Sequence, residues 1–243
     1  MFGFEYPMDV QRYLERRAWL ESQAFRPRDT CEPCRRPRSE CCCEKYRPFA
    51  SVPQIALLVH PYEARRAIAT ARLTHRCLTN SLWMQGSVFE ANPRIQAILD
   101  DPTLAPVLLY PGRGASDLAV PEVRKTLVPE GKKLVVFVLD GTWAQARRMR
   151  RLSTQIHAMP MVCFTPTRPS RFRVRKQPRE NCFSTIEAVH HMLDLFHEPG
   201  TPRKHDNLLE VFDAMVEKQI IHQKRGFGRP SRVRMERIRQ GGG

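Results

Sequence analysis

Short runs of apolar residues alternate with stretches of helical periodicity along the middle of the chain. The clearest apolar runs lie at 55–59, 107–110 and 134–139, and a shorter one lies at 161–164. Continuous apolar runs of this length, separated by helical stretches, are typical of strands that are buried on both faces of a sheet. The pattern therefore predicts an α/β core with a mostly parallel sheet.

Amphipathic spacing predicts helices at about 63–73, 142–152 and 207–224. The stretch 165–183 is rich in Arg and Pro and has no periodic pattern, so we expect a loop that serves a function. Ser184 and Glu187 then form an S-x-x-E capping box, which predicts the start of another helix. Such a helix start can also bind a carboxylate or a phosphate.

Two segments flank this predicted core. Residues 9–21 are predicted to form a short basic helix that leads into a segment crowded with Cys, Pro and Arg. We therefore assign 1–50 to an N-terminal appendage, 51–224 to the main domain and 225–243 to a basic tail that is expected to be flexible.

The appendage contains four cysteines with the spacing C-x2-C-x6-C-x-C, namely Cys31, Cys34, Cys41 and Cys43. Pairs of nearby thiolates can converge on one tetrahedral zinc ion, and four thiolates leave no coordination position for water or substrate. We therefore predict a structural Zn²⁺ site. Cys42 lies between the last two cysteines and could replace Cys41 or Cys43 as a ligand.

Forty Lys and Arg against twenty-five Asp and Glu give the chain a formal net charge of +15. A charge of this size favours a polyanionic partner such as nucleic acid, although a solvated basic face is the alternative. No apolar run approaches the roughly 20 residues that a membrane-spanning helix needs. The N-terminal residues also lack the pattern of a secretory signal, so we expect a cytoplasmic protein without a membrane segment.

A strand, a turn and a helix follow one another directly at the centre of the chain. The predicted strand ends at Leu139 and continues into Asp140 and Gly141, and Thr142 with Gln145 forms a T-x-x-Q capping box. Ligands of open α/β sheets bind at the carboxyl ends of strands, where a helix start offers free N–H groups. We therefore expect Asp140 to lie at a ligand site; the alternative is that it only caps the helix.

The helix that begins at this turn has two distinct faces. Trp143, Ala146 and Met149 share one face, which we expect to pack in the core. Arginines cover the opposite face, among them Arg147. We interpret that face as an RNA contact, with an ordinary solvated surface as the alternative.

Four of these segments, in this order, resemble the DTW-domain family. They are the cysteine segment, LLYPG at 108–112, LDGTWAQAR at 139–147, and SRFRVRKQP at 170–178 followed by STIEA. Members of that family are tRNA-uridine aminocarboxypropyltransferases related to the SPOUT superfamily. The resemblance, which covers about 31–197, implies a SPOUT-like fold with a trefoil knot. It also implies transfer of the 3-amino-3-carboxypropyl group of S-adenosylmethionine to uridine N3 in tRNA, with release of methylthioadenosine.

The resemblance further implies roles for individual residues. Asp140 is the candidate base for the N3 proton, or it holds substrate or cofactor by hydrogen bonds. Four arginines are expected to bind RNA phosphates or the cofactor carboxylate: Arg147, Arg168, Arg173 and Arg175. The residues expected to contact S-adenosylmethionine are Tyr110, Pro111, Gly112, Leu139, Gly141, Thr142, Trp143, Ser184 and Thr185.

Two other functions use the same features. A SPOUT-type RNA methyltransferase would use the same cofactor and RNA but transfer the methyl carbon, and a noncatalytic zinc-containing RNA-binding protein would need the central turn only for structure. The sequence leaves open the modified uridine, the preferred tRNA, the protein partners and homo-oligomerisation.

Overall fold

The computed structural model describes Gln11, Leu14, Glu15, 29–175 and 182–224. The predicted helix at 9–21 lies outside the described residues except at those first three positions, which are helical. The predicted tail at 225–243 and positions 176–178 of the basic motif also lie outside them.

A single six-stranded sheet forms the centre of the described structure, with the strand order β2-β1-β5-β3-β6-β4. Every pairing is parallel, which confirms the predicted parallel α/β core. The strands are β1 (Gln54–Val59), β2 (Leu82–Gln85), β3 (Leu104–Leu109), β4 (Ser116–Asp117), β5 (Lys133–Asp140) and β6 (Met161–Cys163).

Helices connect the strands and cover both faces of the sheet. They are α1 (Pro61–Ala64), α2 (Thr70–Cys77), α3 (Pro93–Asp100), α4 (Pro121–Leu127), α5 (Trp143–Arg151), α6 (Thr154–Ala158), α7 (Thr185–Leu195) and α8 (Asp206–Lys224). Two single 3₁₀ turns, Arg38–Glu40 and Cys43–Lys45, lie in the cysteine segment.

The single helix predicted at about 63–73 is wrong, because α1 and α2 are separate helices. Arg66 N–H donates to the Glu63 carbonyl at 3.0 Å, and Ala69 N–H donates to the Arg66 carbonyl at 3.3 Å. These bonds span three residues rather than four, so the helical ladder stops after α1. The Glu63 side chain is buried there in ion pairs, which the apolar periodicity of the sequence does not register.

The sequence pattern also missed β2 and β4, which are the two edge strands. β2 pairs only with β1 and β4 only with β6, and both are short and partly exposed. An edge strand is covered less completely than a central one, so its sequence lacks the continuous apolar run by which β1, β3, β5 and β6 were predicted.

The sheet separates two hydrophobic clusters, which confirms strands that are buried on both faces. In β1, Ile55 and Leu57 belong to the cluster under α2, α7 and α8, whereas Ala56 and Leu58 belong to the cluster under α3, α5 and α6. Alternate residues of a strand point to opposite faces, so one apolar run supplies both clusters.

The cysteine segment packs against α8. Asn207 accepts from Arg47 N–H and donates to the Lys45 carbonyl, each at 2.9 Å, and the Lys218 ammonium donates to the Cys41 carbonyl. The predicted domain boundaries after residues 50 and 224 stay predictions. Within the described part of the chain, every helix is too short or too polar to span a bilayer.

Candidate functional site

The four predicted cysteines come together in the appendage. Their sulfur atoms all lie within 4.8 Å of one another, with 3.7 Å between Cys31 and Cys43 and 3.8 Å between Cys34 and Cys41. Four thiolates at about 2.3 Å from one tetrahedral zinc ion would stand roughly 3.8 Å apart. The donor atoms and their spacing therefore fit a tetrahedral ion.

A tight turn brings the first two cysteines into this arrangement. Cys31 N–H donates to the Arg36 carbonyl and Arg35 N–H to the Cys31 carbonyl, each at 2.7 Å, and Arg35 has a positive φ of 54°. The Arg36 side chain is fully buried and donates to the Glu40 carbonyl at 3.0 Å. This arginine therefore ties the turn to the second cysteine pair.

Cys42 lies apart from the four sulfurs, which answers the alternative that the spacing left open. Its side chain is fully buried in the hydrophobic cluster beneath α2 and α8. The group of four sulfurs that could hold a metal ion does not include Cys42, so this residue belongs to the hydrophobic core.

A second site is a cavity of about 750 Å³ at the carboxyl ends of β3, β5 and β6. This size is typical of small-molecule sites. Gly112 is the one predicted cofactor residue that does not line it. The predicted residues that do line it are Tyr110, Pro111, Leu139, Asp140, Gly141, Thr142, Trp143, Ser184 and Thr185.

The capping box at the start of α5 is confirmed. Thr142 N–H donates to Gln145 Oε1 at 2.7 Å, and Gln145 N–H donates to Thr142 Oγ1 at 3.3 Å. A Cβ at Gly141 would stand 3.1 Å from the Gln145 Cβ, so a larger residue there would press on the cap. Thr142 is thus the N-cap of α5, and the interpretation of Asp140 as a simple helix cap is wrong.

Asp140 ends β5 and is only 6% exposed. Its Oδ1 accepts a hydrogen bond from the Thr185 hydroxyl, while its buried Oδ2 has no hydrogen-bond partner among the described residues. Burial raises the pKa of Asp140 to about 6, and the hydrogen bond from Thr185 opposes that rise. A buried carboxylate with one unpartnered oxygen at a cavity wall is equipped to bind or take up a proton.

Glu63 lies beside Asp140 and was missed by the sequence reasoning. It is 3% exposed and forms a two-armed ion pair with Arg175, with N–O distances of 3.0 and 3.1 Å. Arg66 contacts the same carboxylate at 3.3 Å. The available signal was its position just after β1, because the last residue of β1, Val59, pairs with Asp140 and brings both strand ends to one edge.

The prediction of a core face on α5 is confirmed for two of its three residues. Ala146 and Met149 are buried, but Trp143 is 42% exposed. As the first residue of α5, Trp143 lies at the cavity, where its ring meets the Tyr110 ring edge-on with centroids 6.3 Å apart. The Arg150 guanidinium lies 5.6 Å from the centroid of the same tyrosine ring. The cavity therefore presents an aromatic pair, in which Trp143 is exposed and Tyr110 is partly buried.

The four predicted arginines occupy different places. Arg175 lines the large cavity, and Arg168 lines a smaller one of about 400 Å³. Arg147 and Arg173 are exposed on the surface and line neither cavity. The four arginines, which the sequence analysis treated as one set, are therefore divided between two cavities and the outer surface.

The capping box of α7 is confirmed, and it also holds part of the Arg-rich loop. The buried Glu187 carboxylate accepts from Ser184 N–H at 2.9 Å and from the Ser184 hydroxyl at 2.6 Å. It also accepts from the Ser170 hydroxyl at 2.8 Å and from Arg171 N–H at 2.7 Å. Glu187 thus joins the loop to the helix start at the cavity.

A group of histidines and carboxylates borders the smaller cavity. His190 contacts Asp206 at 2.9 Å, and His205 contacts Asp194 at 3.3 Å. Ligand atoms of His190, His205 and Asp206 lie close enough to hold a metal ion. The Arg203 guanidinium, however, already neutralises Asp194 and Asp206 at 2.7 and 2.9 Å, so we interpret the group as an ion-pair network.

Fold and cavity define an α/β protein with a small-molecule site at the carboxyl ends of parallel strands. The family profile of the DTW domain matches residues 28–220, and the chain belongs to that family. The chain is similar to three named relatives. The tRNA-uridine aminocarboxypropyltransferase 2 of Drosophila melanogaster is 31% identical over 88% of this chain and 88% of its own length. The protein of that name in Mus musculus is 25% identical over 80% and 65%. The tRNA-uridine aminocarboxypropyltransferase A of Arabidopsis thaliana is 26% identical over 86% and 88%. No solved structure shows a significant match.

Proposed function

We propose that this protein is a tRNA-uridine aminocarboxypropyltransferase. It transfers the 3-amino-3-carboxypropyl group of S-adenosylmethionine to N3 of a uridine in tRNA and releases methylthioadenosine. One observation carries the proposal: Asp140, whose buried Oδ2 has no partner among the described residues, lines a cavity of cofactor size in a chain of the DTW domain family. The names of its relatives supply the group and the substrate.

Proton removal from uridine is the task that we assign to Asp140. S-adenosylmethionine supplies a γ-carbon activated by the adjoining sulfonium. The N3–C bond forms at that carbon while its C–S bond breaks, and the electron pair stays on the sulfur of methylthioadenosine. The N3 proton passes to Asp140 Oδ2. A pKa of about 6 leaves this carboxylate ionised at neutral pH but more basic than an ordinary aspartate.

The cavity walls hold the two substrates in line for that step. We assign contacts with S-adenosylmethionine to the predicted residues that line the cavity, and Gly112 stays a prediction. Trp143 and Tyr110 offer aromatic surface for a base, because base–aromatic stacking needs no particular base sequence. Orientation of the γ-carbon, rather than the methyl carbon, towards N3 then decides the product.

Binding of tRNA depends on the basic surface outside the cavity. The chain carries a formal charge of +15, and Arg147 and Arg173 are exposed. Arg168 lies on the Arg-rich loop, three positions before Arg171, whose N–H donates to Glu187 of α7. We assign these three side chains to RNA phosphates, which supply affinity without sequence specificity.

The cysteine group holds a structural Zn²⁺ ion in this proposal. The sulfur spacing supports it, and the four thiolates complete the coordination of zinc. The segment has little apolar content, so metal binding and local folding are coupled. Its contacts with α8, through Lys218 and Asn207, then transmit the order of the segment to the main domain.

We further infer a SPOUT-type core with a trefoil knot and a cytoplasmic location. The all-parallel sheet supports the first, and the family resemblance supplies the knot. An experimental structure of the full chain tests the knot. Microscopy of the tagged protein tests the location.

Mass spectrometry of nucleosides tests the activity. Uridine-containing tRNA is incubated with the protein and S-adenosylmethionine, then digested. We expect 3-(3-amino-3-carboxypropyl)uridine together with methylthioadenosine, and much slower formation of both products with the Asp140→Asn variant. A gain of methyl alone would instead assign an RNA methyltransferase. Absence of transfer and of S-adenosylmethionine binding would assign a noncatalytic RNA-binding protein.

A further inference from the structure

Glu63 and Arg175 form a pair that is built from distant parts of the chain. Glu63 belongs to α1 and Arg175 to the Arg-rich loop, 112 positions later. Both oxygens of the carboxylate are used, at 3.0 and 3.1 Å, and the carboxylate is almost fully buried. Two parallel hydrogen bonds of this kind define the plane of a guanidinium as well as its position.

The pair leaves donors of Arg175 available for a ligand. A guanidinium has five N–H groups, and Glu63 uses one on each terminal nitrogen. The other three have no side-chain or backbone partner in the part of the chain that is described. The side chain is 27% exposed and forms part of the cavity wall. Its orientation is therefore set by Glu63, while three N–H donors remain for a ligand of the cavity that Arg175 lines.

Arg175 also stands out by its charge. It is the one Lys or Arg among the described residues that line the cavity. The amino-acid part of S-adenosylmethionine ends in an α-carboxylate, which needs a cationic donor when it enters a cavity of limited solvent access. Arg147 and Arg173, in contrast, are exposed on the outer surface, which suits contacts with RNA phosphates.

We propose that Arg175 binds the α-carboxylate of S-adenosylmethionine and that Glu63 is a positioning residue that holds the Arg175 guanidinium in place. This proposal rests on the proposed function, since it names the ligand of the same cavity. It gives Arg175 the second of the two roles that the sequence left open, cofactor carboxylate rather than RNA phosphate.

Glu63 has a further effect on Asp140 through charge. The charged groups that face Asp140 are Glu63, Arg175 and Arg66; the first raises the pKa of Asp140 and the two arginines lower it. Replacement of Glu63 by Gln removes the negative charge and leaves both arginines. The pKa of Asp140 then falls, so the acid limb of the rate profile moves to lower pH. A residue that only supports the fold would not move that limb.

Calorimetric titration of the full chain tests the proposal. The ligands are S-adenosylmethionine and methylthioadenosine, which lacks the amino-acid part. We expect Glu63→Gln and Arg175→Gln each to weaken S-adenosylmethionine binding roughly tenfold or more, because charge-assisted bonds are lost. Methylthioadenosine should bind all variants equally. The double variant should bind S-adenosylmethionine no more weakly than Arg175→Gln alone, because Glu63 acts through that arginine.

Asp213→Asn is the matched control, because it breaks an exposed ion pair of the same loop, with Arg171, away from the cavity. It should leave both affinities unchanged. Equal weakening of both ligands by Glu63→Gln would overturn the proposal and give Glu63 a purely structural role. Unchanged S-adenosylmethionine binding by Arg175→Gln would also overturn the proposal. If a parallel titration shows weaker binding of tRNA to that variant, Arg175 would be assigned to RNA phosphates instead.

The same titration separates this proposal from the proposed function. One outcome is that the unmodified protein and the variants bind S-adenosylmethionine as expected while the unmodified protein transfers no aminocarboxypropyl group to tRNA. That result would support the carboxylate site and contradict the proposed function. If the unmodified protein binds neither ligand, both the carboxylate site and the proposed function are contradicted. Thermal melting of each variant shows whether it is folded at the temperature of the titration.

Discussion

The cysteine group and the cavity differ in how the chain builds them. The cysteines lie within twelve positions of one another, and their four sulfurs form a closed set. The cavity combines Tyr110, which follows β3, with Asp140 of β5 and Thr185 of α7, and these residues come from distant parts of the chain. A local, closed group supports structure, whereas a site assembled from distant elements can place unlike groups around a ligand.

The two sites also differ in how completely their polar atoms are satisfied. Each sulfur lies among three others at distances suited to a shared ion. Asp140, in contrast, keeps one buried oxygen without a partner in the described structure. A buried unsatisfied carboxylate costs stability, and such costs are typical of sites that act on a ligand.

The largest expected effect is that of Asp140→Asn. Loss of the base should lower the rate of transfer by about 10²- to 10⁴-fold. At pH 8 the free energy of unfolding should be higher for this variant than for the unmodified protein. The folded-state pKa of Asp140, about 6, lies above its ordinary value of 3.8, so ionisation disfavours the folded state once pH exceeds that range. The amide removes this cost, of the order of 1–3 kcal/mol. Transfer assays and denaturant unfolding at pH 5 and pH 8 measure both effects.

The stability gain should be small at pH 5, where the native carboxyl group is protonated. A variant that is as active as the unmodified protein would remove Asp140 from the chemistry. A variant that is less stable at pH 8 would contradict the assignment of an unsatisfied oxygen.

Replacement of Cys34 by Ser should have the next largest effect, and it tests the other side of the comparison. Loss of one thiolate should release zinc and lower the melting temperature, because the metal orders the segment that packs on α8. The affinity for S-adenosylmethionine should change only a few-fold, since the cavity contains none of these cysteines. Elemental analysis, thermal melting and titration provide the three measurements.

Cys42→Ser is the matched control for that prediction. It places a hydroxyl in the hydrophobic core and should also lower stability, but the zinc content should remain at one ion per chain. Zinc loss in this variant together with zinc retention in Cys34→Ser would reverse the ligand assignment.

A moderate effect is expected from Trp143→Ala. The indole is 42% exposed, so its removal should leave the free energy of unfolding nearly unchanged. Loss of a stacking surface should weaken substrate binding by roughly tenfold. Trp143→Phe keeps an aromatic face and should recover most of the affinity. A large loss of stability would show instead that Trp143 belongs to the core.

The smallest effect is a shift of the acid limb of the pH–rate profile. Activity should fall tenfold per pH unit below about pH 6, as Asp140 becomes protonated. The Thr185 hydroxyl lowers the pKa of Asp140, so Thr185→Val should move the limb to higher pH. This direction is opposite to that of Glu63→Gln. A limb that does not respond to either substitution would assign the titration to another group.

Local patterns of the chain predicted the features that depend on near neighbours. Both capping boxes are formed by residues three positions apart, and their spacing was sufficient to predict them. The central strands were predicted because burial on two faces demands a continuous apolar run. The edge strands β2 and β4 are partly exposed and need no continuous apolar run, so they were missed.

Trp143 and Cys42 show where such patterns fail. Helical periodicity places Trp143 on the apolar face of α5, but the helix starts at the cavity, so its first residue has no core to enter. Cys42 has the same chemistry as its neighbours, and only the direction of its side chain separates it from them. Periodicity reports a face of an element and carries no information about what lies opposite.

By itself, then, the sequence determined the parallel α/β core, the four clustered cysteines and the strand end at Asp140, because each depends on residues close together in the chain. The tertiary structure alone decided that Thr185 bonds Asp140, that Glu63 holds Arg175, and that Cys42 faces the core. The first two contacts join segments far apart in sequence and arise only when the sheet brings its strand ends to one edge, whereas the third depends on the direction of one side chain.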